Sequence, residues 1–131
     1  MIESVSDRKT HALFTAEWVL KNSSLRLLKG KTITEELKLR IINADALIVM
    51  KFISCRTNDI RDIFMLMPQA KDIKWIKEEI SKRCDFNDKF GRVRDKITSS
   101  KFKDDLQGVY GYVDKNLFEK HRKAVSGINS E

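Results

Sequence analysis

Residues 44–66 read ADALIVMKFISCRTNDIRDIFML, and this stretch decides the fold. Its first half, ADALIVMKFISC, carries apolar side chains on nearly every face of a helix, the pattern of a central helix buried on all sides. Asn43, just before it, is a residue type whose side-chain oxygen caps a helix start. A tight break follows at Arg56 and Thr57. Thr57 then caps a second helix in which Ile60, Ile63, Phe64 and Met67 recur at the spacing of a single face, and Pro68 ends it. Two consecutive helices joined by about two residues form an angled pair.

Working outward toward the C-terminus, residues 70–84 place Ile73, Ile76, Ile80 and Cys84 on one helical stripe, with Lys and Glu outside. After the turn-like DFND comes a short basic helix near 87–97, then a helix from about Ser100 with Phe102, Leu106, Val109 and Tyr110 on one side. Asp114 caps a last helix lined by Leu117, Phe118, His121 and Val125, and the tail SGINSE is expected to fray. Toward the N-terminus, HALFTAEWVL reads as an amphipathic helix or as a strand, whereas SLRLLKG and LKLRI alternate apolar and charged residues with period two. Two or three strands alone cannot bury a sheet face and must lean on helices. The expectation is a mainly α (α+β) single domain over 1–131, with about five helices. Its N-terminal segment, residues 1–42, contains the strands; residues 43–126 are helical and residues 127–131 form a frayed tail.

Length and composition agree with that reading: 131 residues, 41% hydrophobic and 34% charged, make one soluble globular domain. No apolar run is long enough for a membrane span, and the first residues, MIESVSDRKT, lack an apolar signal region, so a cytoplasmic protein without membrane contact is expected. Cys55 and Cys84 belong to no Cys-x-x-Cys pair and read as buried thiols. One proline and five glycines leave few loops. The net charge of +7 points to an anionic partner, although the cations are spread over both halves of the chain. The densest run is 89–103, KFGRVRDKITSSKFK, where Lys89, Arg92, Arg94, Lys96, Lys101 and Lys103 face only Asp95. It reads as a nucleic-acid-binding cluster or as a plain solvated face.

Catalytic patterns are absent. The sequence holds no Gly-x-Ser-x-Gly elbow, no Gly-rich phosphate loop and no His-Glu-x-x-His helix, so it offers no catalytic residue and no metal site. His11 and His121 read as structural, and Asp104 and Asp105 as favourable charges at a helix start. Lys51 is different: it is the only cation in an otherwise apolar helix, and an unpaired buried ammonium costs several kcal/mol, so it must reach an anion, a ligand or water. Asp59 and Asp62 stand three apart on the next helix, with Arg56 at the corner. Two readings stay open: an ion cluster that locks the helix pair, or a set of groups facing a ligand.

The run LIVMKFISCRTNDIRDIFML resembles the helical segment that follows the catalytic palm in nucleotidyltransferase-like proteins of the polymerase-β superfamily, including the abortive-infection type of toxin. Asp45, Leu47, Ile48, Lys51, Arg56, Asp59, Asp62 and Ile63 carry the match, and LKLRI resembles the strand leading into it, so the likeness covers about residues 36–68. Asn58 stands where the family usually has Lys or Arg, and Ser54 where it has a small residue. The family's metal-binding Asp-x-Asp after a Gly-Ser or Gly-Gly turn is missing, and two-metal transfer needs those carboxylates. The resemblance therefore implies the helical half of the fold, non-catalytic or incomplete as a lone chain. Lys51 and Arg56 would approach phosphates of a nucleotide or nucleic acid, and Asp59 and Asp62 would orient them. Mg²⁺ would be relevant only if a separate chain carrying the catalytic half supplied its carboxylates. The alternative is a helical protein–protein interaction module, homo-oligomeric or bound to another chain, with no nucleotide site.

Overall fold

Asn43 starts the decisive helix as its chemistry requires: its side-chain oxygen accepts the Ala46 N–H at 2.9 Å. The computed structural model describes residues 4–9, 11–30 and 36–129. Two short antiparallel strands, β1 (Ser4–Ser6) and β2 (Leu13–Thr15), lead into α1 (Ala16–Lys21). A separate antiparallel hairpin, β3 (Ser23–Lys29) with β4 (Glu36–Ile42), pairs Leu25 with Arg40 and Leu28 with Leu37. Then come α2 (Ala44–Ser54), α3 (Thr57–Leu66), a 3₁₀ turn (Met67–Gln69), α4 (Ile73–Ser81), α5 (Phe86–Ile97), α6 (Phe102–Tyr110) and α7 (Lys115–Gly127). The class is mainly α with a small N-terminal β element, as the pattern predicts. The described residues hold four strands in two sheets and seven α-helices. HALFTAEWVL is both of its readings in turn: strand through Thr15, then helix, because the Thr15 side chain caps the Trp18 N–H.

One cluster forms the core. Ile48, Val49, Phe52 and Ile53 of α2 are fully buried together with Ile63 and Phe64 of α3, Ile76 and Ile80 of α4, Val93 of α5, Phe102 and Leu106 of α6, and Val125 of α7. Each large side chain so placed contributes about 1.5–3 kcal/mol relative to exposure. The expectation of α2 buried on all sides is corrected by one stripe: Leu47, Met50, Lys51 and Ser54 recur at helical spacing and are only half-buried. That stripe faces outward.

Side-chain contacts anchor the rest. Trp18 stacks on Trp75 at 6.1 Å and its Nε1 donates to buried Glu79 at 2.9 Å, while the Arg83 guanidinium lies over the Phe14 and Trp18 rings and its Nε donates to the Leu13 carbonyl. Thus α1 leans on α4, and β2 on Arg83 just after it. Asp45 accepts from the Lys71 and Asp72 N–H groups, 2.9 Å each, tying the start of α2 to the approach of α4. Pro68 leaves the Phe64 carbonyl without the N–H that would continue the helix, and His121 Nδ1 donates to that carbonyl at 2.8 Å, which explains a buried histidine on α7.

Several local readings change. The tail does not fray at Ser126: α7 runs to Gly127 and Ile128 is fully buried against the core. On α6, Phe102 and Leu106 face inward but Val109 and Tyr110, in the last turn before Gly111, are about half exposed. Cys55 and Cys84 are half-buried free thiols, both pushed up from the usual thiol range chiefly by desolvation.

Candidate functional site

The corner between α2 and α3 is built by the backbone. Cys55 takes a left-handed conformation, φ 51°, and its N–H donates to the Lys51 carbonyl, ending α2. The cap of α3 is Arg56, one residue earlier than the sequence suggests. The reason is Asp59, whose carboxylate reaches back from the third helical position to accept the Arg56 N–H at 3.0 Å. Two residues, Cys55 and Arg56, therefore separate the helices, and α3 folds its first turn against the half-buried stripe of α2.

That geometry brings together all four residues singled out at the corner. Lys51 Nζ lies 2.8 Å from Asp62 Oδ2 and 3.3 Å from Asp59 Oδ1, and Arg56 Nε lies 3.1 Å from Asp59 Oδ2. The Lys51 side chain is 29% exposed and that of Asp59 only 6%. The hydrogen bond to Asp62 raises the Lys51 pKa above its usual value against the opposing effect of burial. Burial pushes the Asp59 carboxyl up, but hydrogen bonds from Ser54, from the Arg56 N–H and side chain, and from Lys51 together hold it below its usual range. On the far side, the Tyr110 hydroxyl donates to Asp62 Oδ1 at 3.1 Å. Desolvation, then this bond, raises the phenol pKa.

The cluster floors an open groove made of three adjoining concavities. A middle one of about 310 Å³ is lined by Leu47, Met50, Lys51, Ser54, Arg56 and Asp59, with Phe14 and residues 5–7 opposite. One end, about 320 Å³, continues over Ser54 and Arg56 to Asp7, Arg8 and Lys9. The other, about 350 Å³, lies beyond Lys51 among Leu47, Asp62, Met65, Leu66 and Tyr110. The groove is thus cationic at one end and aliphatic with an aromatic wall at the other. Among the described residues, a larger hollow of about 600 Å³ is lined by Lys74, Lys77, Glu78 and Ser81 of α4 and by Lys82 just after it.

The second predicted cluster is not assembled in one place. Lys89 is buried at 6% exposure on the inward face of α5 with Phe86, Phe90, Val93 and Ile97. Arg92 and Arg94 are exposed and pair with Asp88 and Asp95, and two positions apart on a helix they do not share a face. Lys96 pairs with Asp105, Lys103 lies over the Phe118 ring, and Lys101 is exposed.

No sequence signal marks Tyr110, 48 positions from Asp62, or Arg8 and Lys9, which reach the groove only through the β1–β2 turn. Among the described residues, no group of three or more metal-ligating side chains comes together, and Asp59 and Asp62 are already engaged by Lys51, so the donors present do not fit Mg²⁺. Among the same residues, no helix is long and apolar enough to cross a membrane. Comparison with protein-family models, with curated proteins and with solved structures finds no significant match to this chain.

Proposed function

We propose that this chain is a cytoplasmic, non-catalytic nucleotidyltransferase-like domain that binds a nucleotide, free or at the end of a nucleic acid, along the groove floored by Lys51. The observation that carries this reading is the polarity gradient of the groove. Arg56, Arg8 and Lys9 supply the cationic end that phosphates require, and Tyr110 with Leu47, Met65 and Leu66 supplies an end suited to a flat apolar ring. Lys51 sits where the two ends meet, held by buried Asp59. Because Asp62 is a third exposed, Lys51 can exchange that partner for a phosphate without losing its anchor. A thermal-shift series with ATP, GTP, CTP and UTP tests it: a ligand at 100 times its Kd raises stability by about 2.7 kcal/mol. The expected result is a shift that shrinks in Arg56→Ala, measured from that variant's own midpoint. No shift with any nucleotide contradicts the reading.

The β3–β4 hairpin favours a second reading, an interaction module, since its aliphatic side chains stand in water rather than in the core.

A further inference from the structure

Cross-strand partners in an antiparallel pair share a face, so the register divides the β3–β4 hairpin cleanly. One face carries Leu28, Leu37, Leu39 and Ile41, and the other carries Leu25 and Leu27; these six side chains are between 39% and 58% exposed. Each strand alternates, but the register sets Leu25 and Leu27 of β3 on the face opposite to Leu37, Leu39 and Ile41 of β4, so neither face of the pair is wholly polar as the solvent face of a surface sheet would be. Yet among the described residues β3 and β4 form a sheet of two, with an unpaired edge on each side, and a lone two-stranded hairpin is marginal in water. Four cations, Arg26, Lys29, Lys38 and Arg40, stand among these residues against the single described anion Glu36.

We propose that the β3–β4 hairpin is a docking arm for a separate acidic polypeptide, which adds a β-strand to the β4 edge and sets apolar side chains beside Leu37, Leu39 and Ile41. This rests on the interaction reading and names the partner's chemistry. Charge selects the occupant. A second copy of the chain would double the excess of cations along the hairpin, and like charges opposite one another across strands repel. An acidic strand places carboxylates beside Lys38 and Arg40 while its main chain completes the ladder, the strand-addition mode of peptide recognition. A nucleic acid would also neutralise the cations, but it would leave six aliphatic side chains against a polar, wet interface.

The test uses the full chain and three probes: a labelled strand-forming peptide alternating valine with glutamate, its lysine counterpart, and a short DNA duplex. The acidic peptide is expected to bind about tenfold or more tighter than the basic one. It should slow amide hydrogen exchange within 24–29 and 36–42. The double variant Leu37→Lys/Leu39→Lys, whose substitutions lie outside the core, should keep its thermal midpoint and lose the binding. Equal binding of the two peptides, or preference for the duplex with loss in Lys38→Gln/Arg40→Gln, overturns the acidic partner. Sedimentation as a dimer that Leu37→Lys/Leu39→Lys dissolves keeps an interaction surface but makes the occupant a second copy, which also overturns the proposal. Absence of binding by every probe, with a monomeric chain, removes the interaction reading together with it.

Discussion

Replacing Lys51 with methionine separates the contributions of the α2–α3 corner. A fully buried ion pair broken from one side costs about 3–5 kcal/mol, and a fully exposed one about 0–1 kcal/mol. Lys51 lies between these limits, because its side chain is 29% exposed while that of its partner Asp59 is 6% exposed. Asp59 is not orphaned by the change, since the Arg56 N–H and guanidinium remain on its other oxygen. Asp62 keeps the Tyr110 hydroxyl and is itself a third exposed. Methionine also preserves most of the apolar stem of the side chain. The expected loss is therefore about 1–2 kcal/mol, seen in urea denaturation at neutral pH as a lower midpoint with an unchanged slope, or as a fall of about 3–8 °C in Tm. A loss above about 3 kcal/mol would mean that the cluster is as dry as a core pair, and the groove would then be closed. No loss, or a gain, would mean that the three distances at this corner contribute nothing.

Acid should weaken the fold in a defined window. Asp59 titrates below its usual 3.8 and Glu79 below its usual 4.5, so the stability they contribute is complete above those values and is lost as pH falls through the lower folded-state values. Thermal melts between about pH 5 and pH 2 should show a steep decline that is shallower in Glu79→Gln. Trp18→Phe removes the Nε1 donor to Glu79 while leaving Lys82 in place, and a loss of about 1 kcal/mol is expected by denaturant titration. His121→Leu leaves the Phe64 carbonyl buried beside Pro68 without a donor, and should cost about 1–3 kcal/mol; a neutral result would deny that role to the imidazole.

How far each element is legible in the sequence follows from the length of its pattern. The helices after Asn43 can be read because apolar residues recur at helical spacing through each of them, and the α2–α3 corner because Arg56, Asp59 and Asp62 lie within two turns of one another in sequence. Lys89 carries a readable signal that the basic run conceals: with Phe86, Phe90, Val93 and Ile97 it occupies the inward face of α5. The cap at Arg56 depends on which backbone N–H the Asp59 carboxylate reaches, a matter of one residue that periodicity does not resolve. The Tyr110 contact, the Trp18–Glu79 bond and the seat of Ile128 join positions far apart in the chain, and no local spacing announces them. The division into two separate hairpins is not legible either, because alternation defines a strand without saying which strand it will pair with.

The measurement that bears most directly on the groove is an amide chemical-shift titration of the labelled chain with ATP. Perturbations are expected to gather on Leu47 to Lys51, on Ser54 to Asp59 and around Tyr110, with Arg8 and Lys9 moving as the phosphate end engages. Perturbations confined to Arg92, Arg94 and Lys101, or no perturbation at millimolar ATP, would contradict it.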